Sequence, residues 1–356
     1  MKKIIISNFE NKINNKDMLA TPWHISSCEI NIVNPIYEGC CEEIQNVIFD
    51  ELEDAKHKVG NFRIEKSSEQ WKYAVNSIDT HVKMPLTLEN PVNRAYYKMV
   101  EIIRTCIISP KRKSFHMCEA PGGFIQACLE EFSKELQNVH CSSMIGAENP
   151  TFSTIVKREG VNCHTFLNND ITDPQVRQMH IEEIGSHSCG LITADGAIDN
   201  DNNPEFTEEN SAILLASEIE LAMQLQEENG TFIVKIFGLR LKITYELVAI
   251  LCHCYEHVQI VKPFTSRAVN DERYVVCQGF KKNKKLDLHL EKKRLVKICE
   301  IKDEWFVEVQ NIAAFFANSQ TIYLNKALNA NIHRGKGKGR GRGMGRGRGR
   351  GRFQPY

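Results

Sequence analysis

The sequence predicts an α/β fold: a mostly parallel central sheet, helices on both faces, and a last strand antiparallel to the others. Three observations carry that expectation. Phe115 to Phe124 reads FHMCEAPGGF, an apolar run that ends in Glu119, turns through a proline and two glycines, and opens an amphipathic stretch. Short apolar runs then alternate with helical periodicity as far as Phe280, as a parallel sheet with crossover helices requires. The last two runs are joined by a loop with no room for a helix, so they should pair antiparallel.

Composition narrows the class. A chain of 356 residues with 42% hydrophobic and 25% charged residues can bury one large core or two modest ones. No apolar run approaches the ~20 residues of a membrane helix. The start, MKKIIISNFENK, has too short an apolar stretch for a secretory signal. Thirteen scattered cysteines in so long a chain point to a reducing, intracellular compartment, nucleus or cytoplasm, rather than to disulfide staples. The formal net charge of zero hides an asymmetry. Nine of the 45 Lys and Arg lie from His333 to Tyr356, where there is no acid, leaving 36 against 45 acidic residues elsewhere. An acidic body carries a basic tail.

In chain order, residues 1 to about 38 show no readable pattern, and Cys40 to about Lys58 fits a helix through Ile44, Val47, Ile48, Leu52 and Ala55. The piece with Phe62, Ile64, Trp71 and Tyr73 is too irregular to place. A helix beginning near Asn90 or Pro91 has Val92, Ala95, Tyr96, Met99, Val100 and Ile103 as its apolar stripe. Lys98 falls about 120° from that stripe, and its plain reading is a solvated lysine. After Gly122, Phe124, Ile125, Cys128, Leu129, Phe132 and Leu136 make one helical face. The glycines of the turn let backbone N–H groups approach a ligand closely.

Ser142 to Ala147 is expected as the second strand, ending at Glu148, which is either a ribose-binding acid or a surface glutamate. Val161 to Leu167 is the third, followed by Asp170, either a helix N-cap or an acceptor for an adenine amino group. Cys189 to Ala194 is a fourth, buried strand that delivers Asp195 and Gly196. A helix from Thr207 to Glu228, stopped by Gly230, leads to a fifth strand, Thr231 to Phe237. Lys235 interrupts that apolar run. Burying a charge is costly, so it either snorkels from an edge or does chemistry. A helix from Ile243 to about Cys254 precedes strands His257 to Val261 and Arg273 to Phe280, with Glu272 just before the last. Asp195, Lys235 and Glu272 thereby reach one edge of the sheet, the carboxyl edge where ligands bind in open α/β folds.

The chain divides into an N-terminal, partly helical extension over 1–75, a sheet domain over 76–285, an appendage over 286–332 and a tail over 333–356. The tail's Arg-Gly and Lys-Gly repeats cannot build a core and are expected to be disordered. Cys252-His253-Cys254 with His257 invites a metal reading. Positions 252 and 254 point to different helix faces, however, so packed residues are expected there and no metal.

Asn93-Arg94-Ala95-Tyr96-Tyr97-Lys98, Cys118 to Phe124, Asp170-Ile171-Thr172, Asp195-Gly196, Val234-Lys235-Ile236-Phe237 and Ser266-Arg267 with Glu272-Arg273-Tyr274 form an ordered set. From Pro91 to Phe280 the set resembles the FtsJ-like (RrmJ-type) ribose 2′-O-methyltransferases. Asn-Arg-Ala before Lys98 and Cys-Glu-Ala-Pro-Gly look closest to the mRNA cap enzymes of eukaryotes and large DNA viruses. The resemblance implies a Rossmann-like fold that binds S-adenosylmethionine, with RNA across its carboxyl edge. It implies a Lys-Asp-Lys-Glu catalytic tetrad at Lys98, Asp195, Lys235 and Glu272. It also implies cofactor contacts from Glu119, Ala120, Pro121, Gly122, Gly123 and Phe124 at the methionine end, Asp170 at the adenine, Glu148 at the ribose, and Asp195 near the cationic donor.

The chemistry needs these residue types. Methyl transfer from a sulfonium is an in-line displacement, and a ribose hydroxyl is a poor nucleophile without a base. Lys235 is the candidate base, with burial and a second lysine expected to lower its pKa. Lys98 would stabilise developing negative charge, and the two acids would orient the lysines. The expected substrate is the first or second transcribed nucleotide of capped mRNA. The alternatives are ribosomal or transfer RNA, and a catalytically silent RNA-binding subunit, which the complete tetrad argues against. The basic tail is expected to contact RNA phosphates, with a solubility tail or nuclear-targeting signal as the other readings.

Overall fold

The computed structural model describes residues 22–78, 91–109, 111–144, 146, 150–154, 156–157, 159–198 and 206–330. The chain opens with short strands β1 (Trp23–Ile25) and β2 (Asn31–Ile36), then helices α1 (Val47–Glu65) and α2 (Ser68–Ile78). The first helix starts and ends later than its apolar pattern suggested. Asn46 caps it by accepting from Ile48 N, and residues 40–46 instead run past Leu241 as a bridged extended segment. The irregular piece around Trp71 is helical.

Helix α3 (Ala95–Thr105) leads to β3 (Lys113–Met117), and α4 (Gly123–Glu131) follows the Pro-Gly-Gly turn. Next come β4 (Asn138–Ser142) and β5 (Val161–His164). The second strand therefore ends where 142–147 was expected to begin. Its sequence, NVHCS, looks polar, but His140 and Ser142 are buried against β3 and β5, and no hydropathy pattern marks that. Helix α5 (Pro174–Ile184) is capped by Asp173, which accepts from Gln175 N, so the cap is not Asp170.

Strand β6 (Cys189–Ala194) is buried at every position, as its continuous apolar run predicts for a central parallel strand. Helix α6 (Thr207–Leu225) stops three residues before Glu228 because Gln226 turns to extended backbone and bonds the Cys189 carbonyl. Strand β7 (Gln226–Phe237) thus starts earlier than expected, with a bulge before Thr231. Helix α7 (Lys242–Cys254), β8 (Tyr255–Val261), β9 (Glu272–Phe280), β10 (Lys297–Glu300) and α8 (Asp303–Leu328) complete the order.

Among the described residues, eight strands form one sheet in the order β1-β8-β9-β7-β6-β3-β4-β5. The pairs β4–β5, β3–β4, β3–β6 and β6–β7 are parallel, while β9 runs antiparallel to both β7 and β8. The antiparallel last strand is therefore interior rather than marginal. That insertion brings its first residue, Glu272, beside Phe237 at the carboxyl edge of β7. The two faces alternate residue by residue. Leu191, Ile233, Tyr274 and Val276 pack with α3 and α4, whereas Ile192, Phe232, Val234 and Val275 pack in the larger cluster with α6 and α7. Strand β1 adds antiparallel to β8, β10 pairs with β2, and α8 lies against α1. Within that arrangement the Trp305 indole donates to the Ser26 carbonyl at 3.0 Å. No described helix is long and apolar enough to cross a membrane.

Candidate active site

Four elements meet at the carboxyl edge. Asp195 leaves β6, Lys235 is near the end of β7, Glu272 opens β9 and Lys98 projects from α3. Lys98 Nζ lies 2.8 Å from each oxygen of the Glu272 carboxylate, and 3.5 Å from Tyr274 Oη. Tyr274 Oη donates to Asp195 Oδ1 at 2.8 Å, and Lys235 Nζ stands 3.1 Å from that same oxygen. Lys235 Nζ also donates to the Asp195 carbonyl at 2.7 Å. The four residues singled out from sequence thus form one continuous run, joined in the middle by Tyr274. Lys98 points into this cluster rather than into solvent.

The charges in this run are set by their neighbours. Burial pushes Glu272 up, but Lys98 first and Lys235 next outweigh it and hold its carboxyl at about 2. Lys235 moves the opposite way from the sequence expectation. Burial does pull its ammonium down, yet Asp195, Glu272 and Glu218 together carry it above its ordinary value. The expectation failed because it set Lys98 against Lys235, whereas Lys98 is turned onto Glu272 and the nearest charge to Lys235 is a carboxylate.

Two further residues, Lys262 and Glu218, escaped the sequence reading, and a third, Ser266, was read only as part of a motif. Lys262, buried at the end of β8, donates to the carbonyls of Asn270 and Glu272 at 2.8 and 2.9 Å, fixing the loop that delivers Glu272. Burial, then Arg273, draw its ammonium down to about 7. Glu218 on α6 is buried facing Lys235 and Asp195, and burial pushes its carboxyl up to about 8. Ser266 Oγ donates to Glu272 Oε1 at 2.8 Å. Lys262 ends an apolar run, VQIVK, as Lys235 interrupts one, and that parallel was the available signal. Glu218 sits in a helix that reads as amphipathic, and nothing marked it.

The Pro-Gly-Gly turn carries a second cluster. Glu119 Oε1 accepts from Phe124 N at 2.6 Å, tying the strand end to the start of α4. Burial, and then Asp195, push the Glu119 carboxyl well up, and its Oε2 is buried without a partner among the described residues. The glycines are constrained from the protein side. A Cβ on Gly122, at φ +112°, would come 2.8 Å from Val156, and one on Gly123 would meet Asn93 Oδ1 at 2.1 Å. The Ala120-Pro121 bond is cis. Asp170 has partners of its own: its Oδ1 accepts from Thr172 N and Oγ1 at 3.1 and 2.6 Å, and its Oδ2 pairs with Lys292. Those hydrogen bonds outweigh burial and hold its carboxyl low. Glu148 and the basic tail 333–356 lie outside the described residues. Cys252 and Cys254 are buried in packing, and His253 Nδ1 contacts the Cys28 carbonyl at 3.2 Å.

Residues 91–280 match the FtsJ-like methyltransferase family, a span holding every member of both clusters. The chain belongs to that family. It is 30% identical over 210 residues to a cap-specific mRNA (nucleoside-2′-O-)-methyltransferase 2 of Danio rerio, covering 52% of this chain and 28% of that protein. The Drosophila melanogaster protein of the same description is 28% identical, covering 66% of this chain and 36% of its own length. A cap-specific mRNA (nucleoside-2′-O-)-methyltransferase 1 of Caenorhabditis elegans is 28% identical over 45% of this chain and 20% of that one. The chain thus spans only about a third or less of these curated relatives. A crystal structure from Plasmodium falciparum, described as a ribosomal RNA methyltransferase, overlaps with a TM-score of 0.39. It is 22% identical, covering 53% of this chain and 98% of that one.

FtsJ-like methyltransferases take their methyl group from S-adenosylmethionine. The Pro-Gly-Gly cluster of this FtsJ-like chain has the chemistry such a donor needs. A buried carboxyl oxygen with no partner, close to a second carboxylate, accepts a hydrogen bond from an ammonium or offsets a cation.

Proposed function

We propose that this chain is an S-adenosylmethionine-dependent RNA ribose 2′-O-methyltransferase acting on the first or second transcribed nucleotide of capped mRNA. The observation that supports it most is the unbroken run Lys98–Glu272, Lys98–Tyr274–Asp195 and Asp195–Lys235 beside the Glu119 turn. The activity for which these relatives are named supplies the cap and the 2′-oxygen. In this reading 76–285 is the catalytic domain. Glu119, Ala120, Pro121, Gly122, Gly123 and Phe124 surround the donor's methionine end, Glu148 its ribose and Asp170 its adenine. The tail at 333–356 holds RNA phosphates by charge alone, offsetting the acidic body. The site of action is inside the cell, in nucleus or cytoplasm.

The donor supplies a methyl group on a positively charged sulfur. Everything else falls to the protein. Lys235 is the general base that takes the proton from the ribose 2′-hydroxyl, and it must be neutral to do so. In the free protein three carboxyls keep it charged. Positive charge set against Asp195 weakens that hold, so Lys235 releases its proton once the site is filled. Lys98, fixed by both oxygens of Glu272, sets its ammonium where it stabilises the oxygen as it becomes nucleophilic. Tyr274, kept protonated by burial and then by Asp195, holds that carboxylate in place. Lys262 and Ser266 position Glu272.

The decisive experiment offers labelled S-adenosylmethionine with matched capped and uncapped transcripts, followed by nucleoside mapping. Label is expected on a ribose 2′-oxygen next to the cap and only with the capped RNA. Equal transfer to both transcripts, or label on a base, would overturn the assignment.

A further inference from the structure

Two cysteines outside both clusters stand side by side on the parallel strands β4 and β5. Cys141 and Cys163 are register partners, and the Cys141 thiol donates to Cys163 with the sulfurs 3.2 Å apart. Adjacent strands lie about 4.8 Å apart, inside the roughly 4.4–6.8 Å between Cα atoms that a disulfide spans. Closing the bond needs the sulfurs to approach by only about 1.2 Å. The two thiols are not equivalent. Cys141 is buried and Cys163 is partly open to solvent. The Cys141 hydrogen bond, with help from Lys157 and against burial, holds the Cys163 thiol down to about 7. The Cys141 thiol is pushed up by the same hydrogen bond and by burial. An accessible thiolate with a protonated thiol behind it is the arrangement that peroxide-sensitive cysteines share.

The pair also adjoins the Glu119 turn. Ser142, next to Cys141, accepts from Glu119 N at 3.3 Å through its carbonyl. Asn169 Nδ2 straps the carbonyls of Ser143 and His164 at 3.2 and 2.6 Å, which joins the chain just after each cysteine.

We propose that Cys141 and Cys163 form an oxidation site at which hydrogen peroxide converts the two thiols into a disulfide. The Cys163 thiolate attacks one peroxide oxygen, the O–O bond breaks, and the departing hydroxide takes a proton and leaves as water. Cys163 is then a sulfenic acid. The Cys141 sulfur, giving up its proton, attacks the Cys163 sulfur; the S–S bond forms, the S–O bond breaks, and a second water departs. Two thiols lose two electrons and one peroxide gains them.

Treating the reduced full-length protein with hydrogen peroxide is expected to remove two hydrogen atoms by intact mass, with the new bond joining the peptides of Cys141 and Cys163. Dithiothreitol reverses the change. Cys141→Ser is expected to leave a sulfenic acid on Cys163 that dimedone captures, whereas Cys163→Ser leaves no adduct on Cys141. Iodoacetamide on the unsubstituted protein needs no variant to fold, and should label Cys163 at least tenfold faster than Cys141. A bond between other cysteines, capture on Cys141 in place of Cys163, or both thiols intact while exposed Cys40 is oxidised would each overturn the proposal.

Discussion

At the carboxyl edge Lys98, Glu272, Asp195 and Lys235 are buried or nearly so as charges, while under β3, β4 and β5 four histidines are buried as neutral rings. The first cluster keeps its charges because each has an opposite one within 3.1 Å. The second has no such carboxylate in contact among the described residues. His140 Nδ1 shares a hydrogen bond of 2.8 Å with His164 Nε2, and His116 sits between Ser114 and Thr193. Both ring nitrogens of His180 are buried with no partner among the described residues. Burial, then the neighbouring rings, pull His116 and His180 down to about 3 and His140 to about 4. Polar burial is stabilised in one place by compensation and in the other by discharge. The two should therefore respond oppositely to mutation, while acid weakens both in different ranges, the histidines below about pH 6.5 and Glu272 only below about pH 4.5.

The largest expected effect tests the charged cluster as machinery. Lys235→Ala should lower methyl transfer by at least about 100-fold, the scale of a lost general base, with donor affinity within about threefold. Full activity in that variant would end the assignment of Lys235. Next in size is the pairing itself. Glu272→Gln leaves Lys98 buried without its partner and should cost about 3–5 kcal/mol by urea titration. Adding Lys98→Met should recover most of that loss. A double variant no more stable than the single would show that the ion pair is not what compensates Lys98.

The histidine cluster gives the acid-side prediction. Its folded-state pKa values lie below the unfolded value of about 6.5, so the unfolded chain binds protons first as pH falls. The histidines' contribution is complete above about pH 6.5 and should decline from there to about pH 4 for His140 and about pH 3 for His116 and His180, by up to roughly 1.4 kcal/mol per unit for each buried ring. Chemical denaturation across that range reads the slope directly. The smallest effect comes from His180→Leu, which removes two unsatisfied nitrogens at similar volume. It should raise stability at pH 7 by about 1 kcal/mol and flatten the acid slope. Unchanged slope in that variant would mean that His180 does not titrate on unfolding.

The contrast also bears on what could be read in advance. The charged cluster was legible because its residues interrupt patterns: Lys235 in an apolar strand, and Asp195 and Glu272 at strand ends. The histidines were not, since His116, His140 and His164 lie on different strands and only register makes them neighbours. The same polarity hid β4, whose residues NVHCS look unlike a buried strand until His164 and β3 cover them. Likewise, Cys141 and Cys163 are 22 positions apart and become partners only through pairing.

By itself the sequence determined the alternation of strands and helices, the Pro-Gly-Gly turn after β3, and the placing of Asp195, Lys235 and Glu272 at the carboxyl edge, whereas Lys98 joined them only through the family resemblance. Those features are local, since periodicity, turn chemistry and motif spacing act over a few residues. Tertiary structure decided the rest. It placed β9 inside the sheet, turned Lys98 onto Glu272, and surrounded Lys235 with carboxyls, so that its ammonium rises where burial alone would lower it. Burial and charge separation depend on residues distant in the chain, and those distances exist only after folding.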